Sequence, residues 1–192
     1  MKIGIIGSGR VGYSMGKYMQ DYGIRVTGFY DRHRERALDA AQFTGTDSFD
    51  RIEDLVAASD TLFLTTSDGE IANVWDCIRH LSIQGKIICH FSGSLSSDQF
   101  QGIEKTRAYG LSIHPMLAFS DKYTSYKQLQ NAFFTLEGHA QALAVMEPLL
   151  QKMGNPVQRI APEQKALYHA AAAILSNQVV ALLASGYEML EA

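Results

Sequence analysis

Short apolar runs rich in β-branched residues alternate along this chain with longer segments whose apolar positions recur at helical spacing. Residues 2–6 have strand character, and Val11, Met15, Tyr18, Met19 and Tyr22 then mark one stripe of a helix that Gly23 ends. Residues 25–30 read as a second strand, 34–43 as a helix closed by Gly45, 46–49 as a short strand and 50–58 as a brief helix. Residues 61–65 are continuously apolar and β-branched, the pattern of a strand covered on both faces. A helix over 70–81, a strand over 86–91, a helix capped by Ser96 or Ser97 and running to Lys105, and a strand over 109–113 come next. Residues 117–130 are polar without a clear period and are expected to loop over the crevice. Beyond them lie a strand over 131–137, an amphipathic helix over 141–153 ended by Gly154, and a strand over 156–160. Pro162 then opens a helix over 163–191, on the order of 45 Å long.

Strands alternating with helices predict an α/β protein with a doubly wound, mostly parallel sheet. The pattern divides the chain into a sheet domain, residues 1–161, and the start of an all-helical domain, residues 162–192. In such sheets ligands bind at the carboxyl ends of the strands. Gly7 to Gly12, Asp31, Thr66 to Asp68, Ser92 to Ser94 and His114 all stand at predicted strand ends, so topology alone should bring them to one crevice.

The first of these is Gly7-Ser8-Gly9-Arg10-Val11-Gly12, a G-x-G-x-x-G between strand and helix, with Asp31 at the end of the next strand, 19 residues after Gly12. That is near the spacing of about 20 expected of a dinucleotide-binding turn. Gly7 turns the chain, Gly9 lets a pyrophosphate approach the backbone, and Gly12 lets the helix pack close. The phosphates would sit on free N–H groups at the positive end of the helix dipole. Thr66 and Ser67 are further candidate cofactor contacts. A carboxylate at Asp31 suits the ribose 2′-hydroxyl of NAD, whereas Arg32 and Arg34 suit the 2′-phosphate of NADP, so the cofactor is read as NAD(P).

Chemistry has its candidates on the last helix. Lys165 and His169 are four residues apart and differ by about 40° around the axis, and Ser176 returns to within about 20° of Lys165. Asn177 lies somewhat further round. A Lys and a His entering a dry cleft would suit a carbonyl reaction, donating a proton to the oxygen or polarising it while hydride arrives from a nicotinamide. Spacing alone equally allows a solvated Lys165 and a hydrogen-bonded core His169. His114, at a strand end before Pro115, is placed as a catalytic or anion-binding group would be. It could also simply cap the sheet. Ser92-Gly93-Ser94 could bind a substrate carboxylate through hydroxyls and N–H groups, or be an ordinary turn. His90 is expected to support Ser92.

Composition narrows the classes. The 192-residue chain is 46% hydrophobic, with a formal net charge of −3. No long basic cluster points to nucleic acid. Cys77 and Cys89 are too few for a disulfide scaffold and have no metal-ligand spacing, so they are read as free thiols in a reducing, cytoplasmic compartment. Residues 2–6 already read as a strand, so no leader segment is expected. Residues 170–190 are apolar enough to raise the membrane question. Ser176-Asn177-Gln178 interrupts them and no basic flank sets an orientation. The helix is therefore expected to be buried in a core or an interface, most simply between two copies of the chain.

Taken together, Gly7 to Gly12, Cys89-His90-Phe91-Ser92-Gly93, Ser112-Ile113-His114-Pro115-Met116 and Lys165-Ala166-Leu167-Tyr168-His169, with Ser176-Asn177, resemble a Rossmann-like oxidoreductase family with a helical DUF2520 domain, in the 6-phosphogluconate dehydrogenase-like superfamily. The resemblance spans essentially the whole chain. It implies an NAD(P)-binding domain joined to an all-helical, dimerising domain that extends past residue 192. Related β-hydroxyacid dehydrogenases and ketopantoate reductases carry a Lys and an Asn four apart on the matching helix, the Lys as proton donor. Lys165 and His169 fall on that pattern with His in place of Asn. The resemblance thus implies hydride transfer to a small 2-oxo acid, ketopantoate first. His114-Pro115-Met116 is also similar to a prephenate dehydrogenase motif, which implies oxidative decarboxylation as an alternative. A non-catalytic NAD(P)-binding or assembly module is the third.

Overall fold

The computed structural model describes residues 1–191. Its strands are β1 (Ile3–Ile6), β2 (Val26–Tyr30), β3 (Asp47–Ser48), β4 (Thr61–Leu64), β5 (Ile87–His90), β6 (Tyr109–Pro115), β7 (Phe134–Gly138) and β8 (Val157–Arg159). They form one sheet in the order β3-β2-β1-β4-β5-β6-β7-β8, parallel throughout except for the β6–β7 pair. The order reverses at β1, so the crevice opens between the loops at the carboxyl ends of β1, β2 and β4.

Helices α1 (Arg10–Asp21), α2 (Arg34–Thr44) and α5 (Ala140–Lys152) cover one face of the sheet, and α3 (Ile52–Ala58) and α4 (Asp68–Ile78) the other. Alternation along the strands supplies both cores. Phe63 points toward the first layer, with Tyr13, Met15 and Phe29, whereas Leu62 and Leu64 meet Leu55, Ile71 and Trp75 in the second. The doubly wound reading of the sequence is thus the observed fold.

Three expected elements differ. Residues 96–105 are not one helix but two 3₁₀ turns, Ser97–Gln99 and Ile103–Lys105. Gly102, in the left-handed region at φ +76°, separates them. Ser96 does cap the first turn, its hydroxyl accepting from the Asp98 N–H at 3.3 Å. Residues 117–130 form a strap against α1 and α2 that includes a 3₁₀ segment, Ser125–Asn131. The strap is pinned where Asp39 accepts from Lys122 Nζ at 2.6 Å, Tyr123 Oη at 2.9 Å and Tyr13 Oη at 2.5 Å. Phe43 packs edge-on against Tyr123 and Tyr126 there. Only its first residues, Leu117 and Ala118, reach the cavity near His114.

The last helix is also interrupted. It runs as α6 (Lys165–Ala173), a π turn (Ile174–Gln178) and α7 (Val179–Glu191). Ser176 and Asn177 fall within the π turn and share a cavity lining with Tyr168 and His169, which Lys165 does not join. Lys165 points inward and is buried, while Ser176 and Asn177 are exposed. The helix from Pro162 to Glu191 contains an 18-residue stretch with a mean hydropathy of 1.5, so by length and composition alone it could cross a membrane. The expected burial is not found within the chain: Leu182 is 75% exposed and Leu190 85%.

Candidate functional site

The glycine turn lines a cleft of about 290 Å³ together with the ends of β2 and β4 and the start of α4. Gly7 has φ +102°, and a Cβ there would press on Thr66 at 3.0 Å. A Cβ on Gly12 would overlap the Gly7 carbonyl and stand 2.7 Å from Thr65 Oγ1. Those two glycines serve the fold itself. Gly9 is different, because a Cβ there would find nothing nearer than the Thr65 carbonyl at 3.9 Å. Its missing side chain leaves open space in front of α1, whose first turn has no acidic residue and no side-chain cap. Arg10 and Val11 contribute first-turn N–H groups without intrahelical acceptors. Ser8 Oγ and Thr66 Oγ1 are buried and have no partner among the described residues. Free donors, two orphaned hydroxyls and an uncompensated helix N-terminus form a receptacle suited to a phosphodiester.

Asp31 and Arg32 line this cleft, as do Thr66 and Ser67. Asp31 Oδ2 accepts from the Ser8 N–H at 2.7 Å and Oδ1 from the His33 N–H at 2.9 Å, so the carboxylate braces the turn. Arg34 is turned away to Asp50 at 2.6 Å, and Arg36 takes a place in the cleft instead. Residues 34 and 36 differ by about 200° around a helix, which puts them on opposite sides. That phase was available from the sequence once the start of α2 was set.

Farther along the same sheet edge, a larger cavity of about 650 Å³ is lined by His114, Met116 and Leu117 on one side and by Tyr168, His169 and Asn177 on the other. His114 Nδ1 lies 3.3 Å from the Tyr168 hydroxyl, and the His114 and His169 rings stand edge to face at 5.6 Å. His169 Nδ1 is buried without a partner among the described residues. Gly93 lies beneath both rings, and a Cβ on it would overlap the His169 ring and come within 2.9 Å of His114 Nε2. Burial, with the charge of Lys165 and the His169 ring adding to it, lowers His114 to about 4 despite the opposing Asp68 carboxylate. His114 is neutral at neutral pH.

Lys165 is not a solvated first-turn residue. Only 1% exposed, it donates to the Ser92 carbonyl at 3.0 Å and to the Ser112 hydroxyl, one layer behind the cavity wall. Burial pulls its ammonium down to about 8, against the stabilising charges of Glu137 and Asp68. Ser92 and Ser94 line neither cavity. Ser92 Oγ donates to Asp68 Oδ2 at 2.7 Å and accepts from the Leu95 N–H at 3.0 Å, which closes the turn on itself. His90 supports that turn, its Nδ1 accepting from the Ser92 N–H at 3.3 Å. Glu137, which the sequence did not single out, is 4% exposed and accepts from both the N–H and the hydroxyl of Ser97, at 2.7 and 2.6 Å. Its signal is faint, since an acid inside a strand looks like any solvent-facing position.

A parallel sheet with a glycine turn at its reversal point and a receptacle on that turn defines a Rossmann-type α/β protein. The chain belongs to the Rossmann-like domain family, which residues 1–115 match, and residues 132–192 match DUF2520, a domain of unknown function. No curated protein matches it in sequence. Among solved structures it resembles a Bacteroides fragilis protein, assigned by inference as an NADP oxidoreductase, with 20% identity and a TM-score of 0.83 over 99% of this chain and 72% of that one. A Pseudomonas imine reductase has 19% identity and a TM-score of 0.74 over 95% of this chain and 64% of its own. A Mycobacterium avium protein assigned as an oxidoreductase has 18% identity and a TM-score of 0.76, over 98% and 67%. Identities of this size establish a shared fold. The chain spans about two thirds of the length of these structures.

Proposed function

We propose that this protein is an NAD(P)-dependent oxidoreductase that reduces the carbonyl of a small 2-oxo acid, with ketopantoate the first substrate to try. The observation that carries the reading is the placement of the phosphodiester receptacle and of the His114–Tyr168–His169 cluster at the carboxyl ends of one sheet. The glycine turn, Ser8, Thr66 and Ser67 would hold a dinucleotide, which supplies hydride when reduced. The oxidoreductases with this fold favour the same assignment.

On the substrate side the chain offers neutral imidazole and phenol groups at the cavity surface and a buried cation behind them. Tyr168 and His114 are paired, so one holds the orientation of the other. His169 lines the cavity, but its unpartnered Nδ1 is buried against Gly93, so a substrate oxygen would have to meet the other ring nitrogen. Lys165 acts through its charge, favouring the oxyanion that develops as hydride arrives, and through its grip on the Ser92 carbonyl beside Gly93. The cavity's Met, Leu and Ala lining suits an apolar substituent beside the carbonyl.

The expected result is oxidation of NADPH or NADH by the 192-residue chain on addition of ketopantoate or another 2-oxo acid, monitored by absorbance at the reduced nicotinamide band. Turnover of cyclic imines alone would keep the oxidoreductase class and overturn the substrate. Reduction of NAD⁺ by prephenate would overturn the direction of the chemistry. Tight dinucleotide binding with turnover of none of these would favour a non-catalytic module.

A further inference from the structure

We propose that Glu137 is a positioning residue, the buried counter-charge that holds Lys165 as an ammonium ion behind the cavity wall. What that charge does for turnover rests on the carbonyl-reduction reading above. β6 and β7 pair antiparallel, and their register sets Ser112 directly opposite Glu137. Residues so paired carry their side chains on the same face, about 5 Å apart at Cβ. Ser112 offers its hydroxyl to the Lys165 ammonium from that face, so Glu137 stands next in line behind it. Glu137 is 4% exposed and lines neither cavity. Its oxygens are held by the N–H and the hydroxyl of Ser97, both neutral donors. Among the described residues no cationic side chain lies within direct ion-pairing distance of it. A carboxylate taken out of water needs compensation, and the charge that reaches this one is Lys165, across Ser112.

The other titratable groups around Lys165 are screened or neutral. Asp68 approaches from α4, but it is exposed and accepts from the hydroxyls of Ser92 and Ser94 at 2.7 and 3.4 Å. Water weakens its field at the lysine. Burial keeps His90 on β5 and His114 on β6 near 4, so both imidazoles are neutral at neutral pH and neither competes for the carboxylate. On the lysine's own helix, burial holds Tyr168 in its phenol form, and His169 lines the cavity. Burial brings Lys165 down to about 8, and Glu137 opposes that fall more strongly than Asp68 does. Without Glu137 the same burial would carry the lysine toward the neutral amine at neutral pH. The charge that favours a developing oxyanion would then be gone.

Carbon-13 NMR of the Lys165 Cε, followed through a pH titration of the lysine-labelled 192-residue chain, tests this without reference to turnover. The resonance is assigned by its absence from Lys165→Met. The native midpoint should lie near 8. Glu137→Gln keeps the side-chain shape and can still accept from the Ser97 N–H and donate to its hydroxyl. It should lower the midpoint by about one pH unit or more. Glu137→Asp should restore most of that shift. Ser97→Ala, which removes a bond to Glu137 and keeps its charge, should leave the midpoint in place. In turnover, the alkaline limb of kcat should move to lower pH in Glu137→Gln by the same amount, with rates below the limb close to native. A native Lys165 that is already neutral at neutral pH would overturn the proposal, even if Glu137→Gln failed to fold. So would an unmoved midpoint in Glu137→Gln, an equal shift in Ser97→Ala, or a loss of rate uniform across pH. Midpoints that move as expected in a protein without carbonyl turnover would uphold the counter-charge and overturn the reduction reading instead.

Discussion

Gly93→Ala is expected to lower turnover roughly a hundredfold or more while leaving dinucleotide binding and the melting temperature close to those of the native chain. Gly93 does not adopt a positive φ, so its backbone accepts an alanine without strain. What lacks room is the space above it. The new Cβ would overlap the His169 imidazole and stand 2.9 Å from His114 Nε2, so both rings would have to shift. A reaction that needs substrate and polar group aligned loses about two orders of magnitude for a displacement of this kind. The dinucleotide cleft contains none of these residues, which is why binding there is the control. A fully active Gly93→Ala protein would show that the two imidazoles do not handle the substrate.

Lys165→Met is expected to abolish most turnover, by about 10²-fold or more, with little loss of stability. Two effects of similar size oppose each other in the fold. A lysine brought from 10.5 to about 8 is disfavoured as a cation by about 3 kcal/mol, and an isosteric methionine removes that penalty. Against it stands the loss of two donated hydrogen bonds, to Ser92 O and Ser112 Oγ, worth about 1–3 kcal/mol each. A residue kept at so small a net benefit to the fold is one retained for its charge. The pH dependence of stability gives an independent signature. Between about 8 and 10.5 the unfolded chain still holds the Lys165 proton and the folded chain has released it, so native stability rises with pH across that window. Chemical denaturation at a series of pH values should show this rise in the native chain and not in Lys165→Met. Unaltered turnover in the variant would remove Lys165 from the chemistry. A fall in melting temperature of the size seen for a core deletion would make it a structural residue.

The local parts of the site were legible because their signals are local. Gly7, Gly9, Gly12 and Asp31 sit at fixed offsets from strand ends, and their structural places come from chain connectivity. His114 and His169, read from a strand end and a helix face, do meet across one cavity. Less legible was anything decided by contacts distant in sequence. Asp31's turn toward Ser8 crosses 23 residues, and the burial of Lys165 depends on Ser92, 73 residues away. Helical phase predicted a strip joining Lys165 and His169 to Ser176; His169, Ser176 and Asn177 do line one cavity, but Lys165 is buried outside it. The strap over 117–130 looked unpatterned because its anchors, Asp39 and Phe43, lie on α2 rather than within it. The helix expected over 96–105 failed at Gly102, a residue whose positive φ is a stop signal that residue spacing alone does not reveal.

If the protein reduces its substrate with a bound nicotinamide, the glycine-turn cleft and the imidazole cavity are two ends of one ligand's path. Isotope-filtered NMR on the ¹³C,¹⁵N-labelled chain with unlabelled NADPH tests it most directly, through cross-relaxation between the nicotinamide ring protons and side chains of the protein. Contacts are expected from the nicotinamide C4 protons to the His114 or His169 imidazole, alongside contacts from the adenosine to the side chains of Arg32 and Val74. A bound dinucleotide whose nicotinamide protons contact neither imidazole would contradict that single path.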